Sequence, residues 1–335
     1  MDMMAMVLHE PRRAALERVP APDAGTDQVI VQVARAGICG TDLKIFDGEY
    51  LSSYPLIPGH EMAGTVVSVG SGVAKQWIGS RVGVDPTLTC GHCYFCRSRQ
   101  SNHCESWNAL GDTVNGGFAE YVAVPVANLH RLSDDLSWAL GALIEPLACA
   151  EWALERMPMR PGSTVLLFGM GPMGIILMRL LLQDGASRVV VVDKSPERLR
   201  QALQFGAWRA LSPDEMDATL GAIFPRGFDV VIDATGSTKV MAQGLGWVQK
   251  GGNYLLFGVA PKGATAEVEL YTIYHREITI YSSMAINQSY ARAVEISTGG
   301  AISSDLVTHT LPLGQYEQAI AMVRRGEGLK IQLQP

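Results

Sequence analysis

Apolar and polar positions follow two different rhythms along the chain. Residues 28–36, QVIVQVARA, alternate with a period of about two, the pattern of a strand that rests one face on a core. The stretch 63–73, AGTVVSVGSGV, is apolar and punctuated by glycines. Past Arg160 the rhythm changes. TVLLF at 164–168 is apolar throughout, as a strand buried on both faces would be. IILMRLLLQDGA reads as a helix and RVVVVD as a second buried strand; FDVVIDATGS, GGNYLLFGVA and EITIYSSM continue the series. Strand and helix patterns in alternation predict an α/β second half built as a doubly wound parallel sheet.

At 335 residues the chain exceeds the size at which one core stops growing, so two domains are expected. A formal net charge of −6 argues against a nucleic-acid binder, because phosphate binding depends on Lys and Arg. The start, MDMMAMVLHEPRRAAL, carries Asp2 and lacks a long apolar core, unlike a secretory signal. The most apolar stretch, STVLLFGMGPMGIILMRLLL, is interrupted by glycines, a proline and Arg179, unlike a membrane span. The cytoplasm is the expected location.

In a reducing compartment, clustered cysteines are more often metal ligands than disulfides. Cys90, Cys93, Cys96 and Cys104 lie within fifteen residues, spaced C-x2-C-x2-C-x7-C. Four thiolates on one loop suit a closed, tetrahedral, structural zinc site. Two alternatives stay open: His92 or His103 in place of one cysteine, or an iron–sulfur cluster.

Cys39 lies in GICGTD, and His60 and Glu61 follow in PGHE. A Cys, a His and a carboxylate can hold zinc and leave one coordination position free, which is what a catalytic site requires. Gly37, Gly40 and Gly59 flank them and permit sharp turns.

TVLLF runs directly into Gly169-Met170-Gly171-Pro172-Met173-Gly174, a G-x-G-x-x-G turn that opens the next helix. Such a turn brings backbone close to a pyrophosphate, which sits on the helix N-terminal amides. Asp193, nineteen residues after Gly174, is placed to accept from ribose hydroxyls and to repel a 2′-phosphate. NAD is the expected cofactor; Lys194 and Arg198 leave NADP open.

The segments GICGTDLKIF, PGHEMAGTVVSVG, CGHCYFCRSRQSNHC, GGFAEYV, EPLACAEWAL, the glycine turn and GEGLKIQLQP together resemble the zinc-dependent medium-chain dehydrogenases over essentially the whole chain. The resemblance implies a GroES-like β-rich catalytic domain at 1–150, a Rossmann domain at 151–285 and a C-terminal segment, 286–335, returning to the catalytic domain. It implies two zincs per chain, NAD, and a homo-oligomer, dimer or tetramer.

Glu145 in Glu-Pro-Leu matches the sorbitol and polyol dehydrogenase branch, so Cys39, His60, Glu61 and Glu145 form the expected catalytic zinc set. Thr41 resembles the first group of the family's proton relay and Asp42 the carboxylate that orients the ligand histidine. Lys44 departs from the histidine many relatives carry. Arg198, Val259 and Ser283 are further expected on the nucleotide.

The implied reaction is reversible oxidation of a secondary alcohol of a polyol to a ketose. A small alcohol, a diol or a threonine-type substrate is the alternative, because Ile45, Met284-Ala285-Ile286 and Thr310 stand where sorbitol enzymes carry aromatic and arginine contacts. Tyr50, Phe118 and Trp107 are candidates to line the pocket, with core packing as the other reading. Cys149 is read as a buried thiol without a task. A non-catalytic zinc ribbon for nucleic acid or protein is the reading from another class; the acidic balance and the glycine turn count against it.

Overall fold

The computed structural model describes residues 1–335. It divides into two units, Met1–Ala148 with Ile286–Pro335, and Cys149–Ala285.

The first unit is built on a seven-stranded sheet. Its order is Val307–Pro312, Lys330–Gln334, Gln28–Gly37, Glu61–Val69, Arg81–Val84 and Leu129–Arg131, with Tyr121–Pro125 also paired to Gln28–Gly37. The period-two pattern has its expected consequence: Val29, Val31 and Val33 enter one core with Val66, Val82, Val84, Ile331 and Leu333, while Gln32 faces outward. A separate hairpin, Asp2–Glu10 with Arg13–Pro20, lies off this sheet.

Register positions the chemistry. Gly37 pairs with Glu61 on one side and with Gln332 of the C-terminal strand on the other. Three segments distant in sequence thus meet at one end of neighbouring strands. A Cβ at position 37 would lie 2.1 Å from Glu61 Oε2, so any larger residue there would displace the Glu61 carboxylate.

The second unit holds six parallel strands: Thr164–Phe168, Arg188–Val192, Arg209–Leu211, Phe228–Asp233, Val248–Leu256 and Thr279–Ser282. Their spatial order is third, second, first, fourth, fifth, sixth, which is that of a dinucleotide-binding sheet. Val165, Leu166 and Leu167 are fully buried, as their unbroken apolar run requires. In a parallel sheet the C-terminal ends share one edge, and the glycine turn begins there, directly after Phe168. No helix is long and apolar enough to cross a membrane.

Candidate active site

Cys39 caps the helix Gly40–Asp47. Asp42, in that helix's first turn, accepts a hydrogen bond from the Cys39 backbone N–H at 2.8 Å and so fixes where the thiol emerges. His60 and Glu61 come from the turn that opens the strand Glu61–Val69. Gly59 makes this turn at φ +95°, where a Cβ would strike the Phe118 ring at 2.6 Å. One ligand atom each from Cys39, His60 and Glu61 lies within 4.8 Å of the others. His60 is 5% exposed and Glu61 fully buried.

Around this trio sit two groups that sequence reading did not anticipate. Asp112 Oδ1 lies 3.0 Å from His60 Nδ1, whereas Asp42 Oδ1 lies 3.8 Å away. Lys330 Nζ lies 2.5 Å from Glu61 Oε1, and both side chains are buried. Burial opposes the His60 charge, but Asp112 and Asp42 outweigh it and hold the imidazole well above its usual range. Burial likewise opposes the Lys330 charge, and Glu61 with Cys39 more than offsets it, raising the ammonium above the usual lysine value. Asp42, also fully buried, is pushed up to about 6 by its desolvation.

The donor set fits a zinc ion. Sulfur, imidazole nitrogen and carboxylate oxygen are the ligands zinc takes. Glu61 Oε2 is also buried without a hydrogen-bond partner, and Asp42 Oδ1 lies 3.8 Å from the His60 Nδ1 that Asp112 Oδ1 meets at 3.0 Å. Unpaired buried polar atoms are rare because each costs about 1–3 kcal/mol, and a cation held by the trio would satisfy Glu61 Oε2.

Glu145 is not among the three clustered ligands. It is buried on the first turn of Ile144–Arg156, close enough for its charge to be felt by Tyr50 and Lys330. The Tyr50 hydroxyl is pushed up to about 12, first by burial and then by the Asp112 carboxylate. Thr41 Oγ1 lies 3.9 Å from Cys39 Sγ, and Lys44 is half-buried in the same helix.

Other pocket candidates are placed elsewhere. Ile45 is fully buried with Leu8 and Leu56, and Phe118 packs in the main core beside Tyr316. Ile45 is on the inward face of the helix Gly40–Asp47, and Phe118 is in the loop before the strand Tyr121–Pro125. Trp107 is half-buried, Thr310 exposed, Met284 exposed, Ala285 half-buried and Ile286 buried.

The second cluster brings the Sγ atoms of Cys90, Cys93, Cys96 and Cys104 within 4.8 Å of one another. Backbone N–H groups turn onto the sulfurs: Cys90 N donates to Cys104 Sγ and Cys93 N to Cys90 Sγ, both at 3.3 Å. The backbone N–H groups of Cys96 and Glu105 draw Cys93 down to about 6, while desolvation holds Cys96 up at about 12. His92 bonds the Cys90 carbonyl and His103 stacks edgewise on Phe95, and neither joins the cluster.

In the second unit, Gly169, Gly171, Pro172, Met173 and Gly174 run from the first strand into the helix Pro172–Gln183. Asp193 stands at the end of the second strand. Its Oδ2 accepts from Met170 N at 2.7 Å and its Oδ1 from Ser195 N at 2.8 Å. The Arg198 guanidinium comes to 4.0 Å of where a Cβ on Gly171 would sit. Val259 is exposed after the fifth strand and Ser283 half-buried after the sixth, both at the C-terminal edge. Cys149 is half-buried.

The chain is similar to known dehydrogenases over its whole length. Residues 25–134 match the alcohol dehydrogenase GroES-like domain and residues 172–298 the zinc-binding dehydrogenase domain. D-arabinitol dehydrogenase 1 of Uromyces fabae is 35% identical over 344 residues, spanning 100% of this chain and 97% of that protein. Sorbitol dehydrogenase of Bacillus subtilis is 32% identical over 345 residues, spanning 100% and 98%. A solved zinc-binding dehydrogenase of Sinorhizobium meliloti, bound to NADP, superposes with a TM-score of 0.96 at 30% identity, covering 100% of both chains. The chain belongs to the zinc-binding alcohol dehydrogenase family and is an oxidoreductase with a GroES-like domain and a Rossmann domain.

Proposed function

We propose that this enzyme oxidises a secondary hydroxyl of a pentitol or hexitol to a ketose with NAD, and runs the reverse reduction. The observation that carries the reading is the trio of Cys39, His60 and Glu61, the last two buried, with Glu61 Oε2 left unpaired. Likeness over full length to arabinitol and sorbitol dehydrogenases supports the polyol.

In this reading Cys39, His60 and Glu61 hold the catalytic zinc, with Glu145 as the further carboxylate on its open side. Cys90, Cys93, Cys96 and Cys104 hold the structural one. When bound, zinc supplies the Lewis acidity that lowers the pKa of a hydroxyl, and NAD supplies the hydride acceptor. Asp112 and Asp42 orient His60 through Nδ1. Thr41 receives the hydroxyl proton at Oγ1 and passes it toward solvent. Tyr50 and Asp112 line the approach and can hydrogen-bond a second hydroxyl of a polyol.

The first unit is then the catalytic lobe and the second the nucleotide lobe. The amides at the start of Pro172–Gln183 take the pyrophosphate and Asp193 the adenosine ribose, with Arg198, Val259 and Ser283 beside the nucleotide. Cytoplasmic residence suits the four reduced thiols. Exposed Leu270, Tyr271 and Tyr274 on one short helix support a homo-oligomer.

The test is reduced-nicotinamide absorbance with NAD and a panel of pentitols, hexitols, tetritols and simple diols, with zinc counted before and after mild chelation. Two zincs are expected, one leaving together with activity. Turnover confined to simple diols or monohydric alcohols would defeat the polyol reading, and full activity without the labile zinc would defeat the metal assignment.

A further inference from the structure

We propose that Lys330 is a positioning residue that makes Glu61 a one-oxygen ligand, taking Oε1 for itself and leaving only Oε2 to the metal. The proposal rests on the reading that Cys39, His60 and Glu61 hold zinc.

The geometry divides the carboxylate. Lys330 Nζ lies 2.5 Å from Oε1, and Oε2 is buried with no partner. The Oε2 side is free because residue 37 is glycine; a Cβ there would sit 2.1 Å from Oε2 and 3.1 Å from Lys330 Cε. Glu61, Gly37 and Lys330 come from three adjoining strands, so the backbone register maintains the division. Lys330 is 3% exposed, so bulk water offers it little as an alternative partner.

A buried carboxylate that loses its only cationic side-chain partner is left uncompensated. The nearest remaining positive charge is the metal. With Oε1 released, both oxygens turn onto it, and the position a substrate hydroxyl needs is closed. Lys330 therefore keeps that position open without touching the metal or the substrate. Its origin in the C-terminal strand makes the seating of the chain's last residues a condition for a competent metal site.

The experiment exchanges cobalt into the mixed-ligand site, with zinc left on the four thiolates, and compares visible absorption and metal release to a chelator. Lys330→Met is expected to weaken the cobalt ligand-field bands at least about twofold, as coordination number rises, and to slow metal release about tenfold. Lys330→Arg should keep the native bands. Unchanged bands in Lys330→Met would overturn the proposal.

Where the single variant does not fold, the pair Glu61→Gln and Lys330→Met/Glu61→Gln decides. The two should have the same spectrum, because Lys330 acts only through the Glu61 carboxylate. Different spectra would overturn it. If Cys39→Ser leaves the cobalt spectrum of the otherwise native protein unaltered, the metal-site reading itself fails, a result separate from either outcome for Lys330.

Discussion

Asp112 stands 3.0 Å from His60, closer than Asp42 at 3.8 Å. Asp42 has a second task, since its other oxygen holds the Cys39 backbone N–H. The two carboxylates thus share the orientation of the metal site, one mainly through the histidine and the other mainly through the cysteine.

This division predicts unequal effects. Asp112→Asn keeps the volume and removes the charge facing His60, so catalytic zinc affinity should fall by about 10–100-fold, as when a partner of a ligand histidine is lost. Asp42→Asn retains an oxygen for Cys39 and should cost less. Competition with a chromophoric chelator measures both. A silent Asp112→Asn beside a damaging Asp42→Asn would reverse the assignment.

How much was legible in the sequence follows from the range of each interaction. TVLLF, the glycine turn and Asp193 are contiguous or nearly so, and strand periodicity identifies them without tertiary information. The four cysteines need only one loop. Asp112 lies in ALGDTVNGG, which has no periodicity, and its role arises only when the turn carrying His60 packs beside it. Lys330 left no trace: the alternation in LKIQL predicts that Lys330 and Gln332 face solvent, and the structure buries both. The partner of Lys330, 269 residues away, is fixed by sheet register alone. Ile45 and Phe118 were candidates for the pocket by position, but packing turned both into the core.

Cofactor choice is predicted to depend on the charge of Asp193 more than on its volume. Both its oxygens already accept backbone N–H groups, so truncation would also loosen the glycine turn. Asp193→Asn preserves an acceptor and removes the repulsion of a 2′-phosphate. The preference for NAD over NADP, read as a ratio of kcat/KM values, should fall by about tenfold, equivalent to roughly 1.4 kcal/mol. A native enzyme that already prefers NADP would contradict the role given to Asp193.

Asp85, a member of neither cluster of metal ligands, gives a pH-dependent stability. Desolvation pushes its carboxyl up to about 6, against a model-peptide value of 3.8, despite hydrogen bonds from Thr87. The folded state therefore binds this proton more tightly than the unfolded chain does. The ionised carboxylate is a cost above pH 6, and the cost disappears as pH falls through 6 toward 4. Asp85→Asn should raise the Tm at pH 8, by a stabilisation on the order of 1–3 kcal/mol, and change it little at pH 4.5. Equal Tm shifts at the two pH values would show that the carboxylate's charge is not the cause.

The proton path starts at Thr41, whose hydroxyl lies 3.9 Å from the Cys39 sulfur at the first turn of Gly40–Asp47. Thr41→Val keeps the β-branched shape and removes the oxygen, so any loss reports the hydroxyl and not the packing. Turnover should fall by about 10²-fold, the scale of a lost general acid–base step. Thr41→Ser should retain most activity. Lys44→Ala should have a much smaller effect, with water taking the proton once it has left Thr41. The three variants are compared by kcat against pH, with zinc content confirmed in each. A fully active Thr41→Val enzyme would remove Thr41 from the path and leave Glu145 or water as the acceptor.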